Sequence, residues 1–161
     1  MKIRIAFYKS QLNKLVDLVI SGWTWFKNPN TLRTSHVEIG FPIDNEWIYF
    51  SSTNRGDAKG TRWIQDNELL KNPERWEIYE MEKDEEYIKS RIEMAEELCG
   101  SGYDWWGIVG FIMPFGKLNS KHKWYCSEVC WYILTANWMK RISPRMMWRK
   151  VALELNSDMV I

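Results

Sequence analysis

One stretch of the sequence constrains the fold more than any other. Residues 125–139, YCSEVCWYILTANWM, contain a single charged residue, Glu128. The pattern predicts a helix, and a helix that is apolar on all sides is normally buried in protein. The rest of the chain must therefore supply a sheet or further helices that cover it.

Four segments have the alternation of apolar and polar residues that is typical of β-strands. They are Ile3–Tyr8, Ser35–Phe41, Trp47–Ser52 and Arg75–Met81. The second and third are separated by the turn-rich sequence PIDNE. These two segments therefore predict a β-hairpin with a loop of about five residues.

Two further helices are predicted from apolar residues spaced three and four apart, over Leu12–Phe26 and Asp84–Cys99, and Gly100 is a plausible stop for the second. Tyr103–Met113 is too apolar for the surface and is expected in the core. The stretch after residue 140 is basic at first and shows no obvious element. With 161 residues and no internal repeat, the chain is expected to form one α+β domain over residues 1–161.

Charge and composition narrow the classes of partner. The 22 basic and 21 acidic residues nearly cancel, which argues against a nucleic-acid partner, and the basic stretch Lys140–Lys150 is expected to be a solvated face. Aromatic residues make up 15% of the chain and include 11 Trp. This content favours a Trp-rich core with some exposed rings, and the alternative is a groove that binds an apolar substrate or faces lipid.

The localisation is predicted from the lack of a secretory signal, from the lack of a membrane-spanning segment and from the cysteines. The N-terminal residues lack a secretory signal, and no apolar segment is long enough to span a bilayer. Three cysteines cannot all pair with one another. We therefore expect a cytoplasmic protein with free thiols.

Cys126 is the candidate nucleophile because a polar loop meets a buried helix at this residue. The N-terminus of a helix favours the negative charge of a thiolate, and the junction is expected to be open to solvent. Cys130 lies one turn deeper and is better explained as core. Cys99 ends a surface helix.

A cysteine nucleophile needs a base, and the sequence has two histidines. His36 opens a predicted strand after a turn-rich loop, which is a usual place for a catalytic residue at the edge of a sheet. His122 lies in a lysine-flanked loop and is expected to be solvated. No histidine, cysteine and carboxylate spacing matches a zinc site, so neither a metal nor a cofactor is expected.

A third group should orient the imidazole, and the sequence offers alternatives. Glu38 lies two positions from His36, on the same face of the strand. A turn centred near Asp44 would instead bring Ser51 or Ser52 across the hairpin from His36. A slip of one residue in register exchanges the two serines, so the choice among the three stays open.

Two motifs in this order resemble a known group. Ser35-His36-Val37-Glu38-Ile39 and Tyr125-Cys126-Ser127-Glu128 are similar to the circularly permuted branch of the NlpC-type papain-like hydrolases, often called YiiX- or YebB-like. In this branch the histidine strand precedes the cysteine helix. The segments Tyr49–Ser52 and Gly102–Trp105 also resemble members of the group, so the similarity extends over about residues 3–150.

The resemblance implies a small antiparallel sheet with packed helices and the hydrolysis of an amide bond through an acyl-thioester. Cys126 would attack, His36 would carry the proton, and the Cys126 backbone N–H would help to stabilise the oxyanion. Members often place a His or a carboxylate on the strand after the histidine, where this chain has Ser51 and Ser52. That departure leaves Glu38 or a backbone carbonyl as the third group. The implied substrate is a small peptide, for example one derived from peptidoglycan, in a bacterial or phage setting.

Two other functions fit the same residues. Related permuted folds act on lipids, and the Trp residues at 23, 25, 105 and 106 would then face a lipid or membrane surface. Alternatively, the cleft binds a peptide without catalysis. Many cell-wall peptidases of the group are exported, so either release by phage-type lysis or an intracellular substrate would fit the missing signal. The bond cleaved and the oligomeric state stay open.

Overall fold

The computed structural model describes residues 1–9, 34–54, 59–103, 123–139, 142–154 and 158–160. In these residues an antiparallel sheet of five main strands combines with four helices, so the predicted α+β class is confirmed. The strands are β1 (Lys2–Lys9), β2 (Thr34–Ile43), β3 (Glu46–Thr53), β4 (Gly60–Gln65), β5 (Trp76–Glu82), β6 (Gly102–Tyr103), β7 (Lys123–Trp124) and β8 (Asp158–Met159). The helices are α1 (Asp66–Leu69), α2 (Glu85–Leu98), α3 (Cys126–Thr135) and α4 (Pro144–Glu154), and a 3-10 turn covers Pro73–Arg75.

The main sheet has the order β4-β3-β2-β1-β5-β8, and every neighbouring pair in it is antiparallel. All four predicted strands are present as β1, β2, β3 and β5. The strand β4 was not predicted, because it directly follows a polar loop. The short strands β6 and β7 form a separate parallel pair. The predicted helix over residues 12–26 and most of the apolar segment 103–113 lie outside the described residues.

The hairpin between β2 and β3 is tighter than the sequence indicates. Its turn consists of Asp44 and Asn45, with φ of 51° and 64°, so the predicted loop of about five residues is wrong. Asp and Asn tolerate the left-handed region better than most residues, and a two-residue turn with positive φ matches the twist of the flanking strands. The turn fixes the pairing of Ile43 with Glu46 and of Ile39 with Phe50.

The helix α3 is buried, as its lack of charge predicts. Only Tyr132 and Thr135 keep partial exposure, while Val129 and Ile133 are fully buried in the larger core cluster, where the helix packs on β2 and β3. Burying an aliphatic side chain of this size contributes about 1.5–3 kcal/mol. The helix is therefore held firmly on the sheet, and its first residue has a fixed place relative to β2.

The helix α2 begins and ends close to its predicted bounds. The Asp84 side chain caps it by accepting a hydrogen bond from the Tyr87 N–H at 2.6 Å, and Gly100 follows its end with a φ of 83°. The Tyr87 hydroxyl donates to the carbonyl of Leu134. This bond ties α2 to the C-terminal turn of α3.

The helix α4 was not predicted, although its start carries a recognisable signal. Pro144 is its first residue, and the Ser143 hydroxyl caps it by accepting from the Met146 N–H at 3.1 Å. Its inner side buries Met147 and Val151. None of the described helices has the length and apolarity to cross a bilayer.

Candidate functional site

Cys126 is the first residue of α3. Tyr125 precedes it with extended backbone, and the Val129 N–H reaches the Tyr125 carbonyl at 3.0 Å. The N–H groups of residues 126–128 therefore have no partner inside the helix, and they give its start a partial positive charge. The sequence predicts that this side chain is open to solvent. That prediction is wrong, because Cys126 is only 1% exposed.

The start of α3 lies beside β2 because β2 and β3 separate there. Their pairing ends at Ile39 and Phe50. Beyond that point the Val37 carbonyl accepts from the Ser51 hydroxyl at 2.7 Å and from the Cys130 thiol at 3.6 Å, and the Phe50 carbonyl lies 3.7 Å from the same thiol. Cys130 thus fills the point of separation, which agrees with its predicted role in the core.

His36 and Glu38 project from the same face of β2, two positions apart. The Nε2 atom of His36 is 2.8 Å from Oε1 of Glu38. A carboxylate only accepts hydrogen bonds, so Nε2 carries the proton in this pair. The Cys126 side chain is near enough for its charge to act on the same ring, and Nδ1 is the nitrogen that Glu38 does not engage. The structure therefore brings together Cys126, His36 and Glu38.

Arg62, on β4, completes this cluster and was missed in the sequence. Its Nη2 lies 2.8 Å from Oε1 of Glu38 and its Nη1 lies 3.0 Å from Oε2, so the contact is bidentate. Glu38 is fully buried. No local signal in the sequence points to Arg62, because β4 was not predicted and the partner depends on how β4, β3 and β2 are arranged.

The charges in the cluster shift two titrations. Burial alone would lower the pKa of His36, but the charge of Cys126 and the hydrogen bonds to Cys126 and Glu38 outweigh it and raise the pKa to about 9. Burial alone would raise the pKa of Glu38, but the hydrogen bond from His36 and the charge of Arg62 lower it to about 2. At neutral pH, His36 is therefore an imidazolium and Glu38 a carboxylate.

The two serines make other contacts. The pairing of Ile39 with Phe50 does not bring either serine opposite His36, contrary to the register considered for the hairpin. The Ser51 hydroxyl donates to the Val37 carbonyl, and the Ser52 hydroxyl donates to the Trp124 carbonyl at 2.7 Å. Ser52 therefore holds the backbone two residues before the candidate nucleophile. Its hydroxyl donates its proton to this carbonyl and not to the His36 ring.

Other contacts fix the backbone and the walls around Cys126. The Ser127 hydroxyl donates to the Ile142 carbonyl at 2.5 Å, which ties the first turn of α3 to the segment before α4. Tyr125 is buried, packs edge-on against Tyr103 at 6.2 Å between ring centroids, and is hydrogen-bonded to the Cys126 side chain. Burial first, and then the charge of Cys126, raise the pKa of this phenol well above its usual value. The phenol therefore remains protonated near the sulfur.

Among the described residues there is no group of three or more His, Cys, Asp and Glu side chains that could hold a metal ion. His122, the second histidine, lies outside these residues. The cluster as described can supply a nucleophile, a proton carrier and an orienting carboxylate, which is the set of groups that covalent hydrolysis needs.

No family model matches this chain, and no curated protein matches its sequence. The function proposed below therefore stands on the geometry of the site and on the motifs in the sequence.

Proposed function

We propose that this protein is a cysteine hydrolase that cleaves an amide bond in a small peptide. The observation that carries the proposal is the cluster at the start of a buried helix, where His36 Nε2 lies 2.8 Å from Glu38 Oε1 and the charge of Cys126 acts on the same ring. A thiol, an imidazole and a carboxylate in this order are the working parts of a cysteine nucleophile, whatever the fold that carries them.

The reaction would proceed in two steps. The Cys126 thiolate attacks the carbonyl carbon of the substrate, and the oxyanion that forms accepts a hydrogen bond from the free Cys126 N–H. The His36 imidazolium then donates its proton to the leaving amine, and an acyl-thioester remains on Cys126. In the second step His36 takes a proton from water, the hydroxide attacks the thioester carbonyl, and the Cys126 thiolate is expelled as the acid leaves, which restores the starting thiolate and imidazolium.

The finer assignment, a papain-like domain in permuted order, is part of the same proposal. It is supported by the strand β2 with His36 preceding the helix α3 with Cys126, and by the packing of α3 on an antiparallel sheet. The sequence resemblance supplies the peptide substrate, for example one derived from peptidoglycan. The three unpaired thiols fit a reducing cytoplasm, with release by phage-type lysis if the substrate is the cell wall.

Trapping the acyl-enzyme tests the proposal directly. The protein is incubated with peptidoglycan fragments and with a set of short peptide thioesters, and intact-mass spectrometry then reads out acyl groups on the chain. The expected result is a single acyl group on Cys126 that hydrolyses with time. The Cys99→Ser background removes the exposed thiol from the assay.

Matched variants decide the outcome. Cys126→Ala should acquire no acyl group, while Cys130→Ala should be acylated like the parent because its thiol faces the backbone of β2 and β3. If no substrate is cleaved and no acyl group forms on Cys126, the proposal is wrong.

A lipid acyl substrate is the second candidate, and the outer face of α4 favours it. Met146, Arg149 and Leu153 share this face at helical spacing, and the two apolar side chains are 50% and 68% exposed. Arg145 and Lys150 flank it. Exposed apolar residues among basic ones are typical of helices that lie on anionic membranes.

Flotation with vesicles separates the two candidates. A lipid enzyme should float with vesicles that contain phosphatidylglycerol and stay behind with neutral vesicles, and the double variant Arg145→Glu/Arg149→Glu should lose flotation. Lys71→Glu/Lys89→Glu makes the same change in charge on exposed residues elsewhere and should still float. A wild-type protein that never floats would remove the lipid candidate.

A further inference from the structure

The Glu38 carboxylate is enclosed by three hydrogen bonds to cationic groups. Oε1 receives both His36 Nε2 and Arg62 Nη2 at 2.8 Å, and Oε2 receives Arg62 Nη1 at 3.0 Å. The carboxylate is fully buried, whereas the Arg62 side chain keeps 19% exposure. A buried carboxylate without a partner is costly, and it tends to take up a proton instead.

The backbone around Arg62 is anchored independently of the ion pair. Thr61 exchanges backbone hydrogen bonds with the turn after α2, from its N–H to Ser101 O at 2.8 Å and from Gly100 N–H to its carbonyl at 3.0 Å. Gly60 has a φ of 116°, and a Cβ there would lie 2.1 Å from the Ser101 oxygen. Arg62 therefore reaches Glu38 from a strand end whose position is fixed by close backbone packing.

His36 alone cannot fix the orientation of this carboxylate. One hydrogen bond to Oε1 leaves the carboxyl free to rotate about it, whereas the planar guanidinium binds both oxygens and defines the plane of the group. The Oε1 lone pairs are then directed at Nε2, and the other ring nitrogen is held towards Cys126. A neutral Glu38 would instead present an O–H to the ring and lose this hold on the imidazolium.

We propose that Arg62 is a positioning residue for the hydrolase proposed above, which keeps the Glu38 carboxylate ionised and in the orientation that directs His36 at Cys126. It acts through Glu38 and touches no reacting atom. This inference rests on the proposed function for its effect on catalysis. Its effect on the carboxylate itself can be measured whether or not the protein is an enzyme.

The test compares Arg62→Met with Arg62→Lys, and uses Arg4→Met as a matched control. Arg4 lies on the same sheet, binds Glu80 at 3.0 Å and has 20% side-chain exposure, so its loss removes a comparable ion pair away from the site. Carboxyl carbon NMR of protein labelled at glutamate follows the titration of Glu38. Initial rates of acyl-thioester hydrolysis follow kcat and KM against pH.

In Arg62→Met we expect the pKa of Glu38 to move upward from about 2, because the charge and the hydrogen bonds of Arg62, which help to lower it, are gone. We expect kcat to fall by about 10- to 100-fold with little change in KM. Losses of this size are usual when a residue that orients a catalytic group is removed. The loss should deepen towards acidic pH as Glu38 protonates. Arg62→Lys should restore the charge and part of the rate, and Arg4→Met should leave both readouts unchanged.

Failure of either proposal is recognisable. An upward shift of the Glu38 pKa in a protein that cleaves nothing supports the Arg62 inference for the carboxylate and contradicts the hydrolase. A Glu38 titration and a pH profile that are the same in Arg62→Met, Arg62→Lys and the parent overturn the Arg62 inference. If Arg62→Met does not fold, the comparison of Arg62→Lys with the parent decides by the same two readouts.

Discussion

Cys126 and Cys130 lie one turn apart on α3 and both are buried, yet their sulfur atoms meet different groups. Cys126 is at the free end of the helix, where it contacts the His36 ring and the Tyr125 phenol. Cys130 lies inside the helix, where its thiol faces the Val37 and Phe50 carbonyls. Four residues of sequence therefore separate two cysteines with different electrostatic surroundings.

The difference lies in the charges that each sulfur faces. Cys126 faces the His36 imidazolium and lies at the N-terminus of a helix, and both favour negative charge. Cys130 faces carbonyl oxygens, and burial first, and then the charges of Glu38 and Cys126, raise the pKa of its thiol well above the usual value. Burial alone therefore does not distinguish the two cysteines. Their positions along the helix do, because Cys126 is at its N-terminus and Cys130 is in its interior.

The largest expected effect is on kcat/KM, when each of the two cysteines is replaced in turn. Cys126→Ala should lower kcat/KM by about 10⁴-fold or more, because loss of a covalent nucleophile leaves only binding and the oxyanion contact. Cys130→Ala should stay within a few-fold of the parent. Steady-state hydrolysis of the best peptide or thioester measures both. Equal losses in the two variants would show that the comparison between the two cysteines is wrong.

The next largest effect is on kcat, when a side chain near each cysteine is replaced: Glu38 in the cluster with Cys126, and Ser51 beside Cys130. Glu38→Gln should lower kcat by about 10²- to 10⁴-fold, since an amide cannot stabilise the imidazolium and also offers it an N–H. Ser51→Ala removes the hydroxyl that lies 3.8 Å from Cys130 and should leave kcat within about threefold. The pH profile of kcat measures both variants. A Ser51→Ala loss as large as that of Glu38→Gln would restore the serine as third catalytic group.

A smaller effect concerns the titration of His36, which NMR of the imidazole C–H resonances can follow because the chain has only two histidines. We expect a pKa of about 9 in the parent, a lower value in Cys126→Ala, and an unchanged value in Cys130→Ala. Because the folded value lies above the ordinary imidazole pKa of 6.5, protonated His36 stabilises the fold below pH 6.5, and this contribution is lost as the pH rises through about 9. Urea unfolding of the parent and His36→Gln should converge over that range. A His36 pKa near 6.5 in the parent would contradict the contact with Cys126.

The smallest effect is on stability. Cys130→Ala should lower the free energy of unfolding by about 1–2 kcal/mol, from the small cavity and the weak thiol hydrogen bonds it removes. The loss should be the same at mildly acidic and neutral pH, because a thiol with a raised pKa stays neutral throughout. Urea unfolding at two pH values measures it. A loss that changes steeply between these pH values would mean that Cys130 carries charge.

The sequence predicts the parts of the site that depend on local pattern. His36 and Glu38 share a face because strands repeat every two residues, and Cys126 starts a helix because a polar loop meets an uncharged stretch there. The contact of Arg62 with Glu38 and the burial of Cys126 depend on which strands and helices become neighbours. The local sequence pattern does not contain this information. The same limit explains the position of Ser52: its hydroxyl binds the Trp124 carbonyl, 72 positions away.

Three distant stretches of chain supply the cluster: β2 gives His36 and Glu38, β4 gives Arg62, and α3 gives Cys126. A ribosome makes the chain from the N-terminus, and a site assembled from distant segments forms only when all of them can pack. During synthesis the growing chain therefore holds the base and its carboxylate long before it holds the sulfur. For the hydrolase proposed above, we therefore expect no activity from a chain whose synthesis stops before α3, because it lacks Cys126.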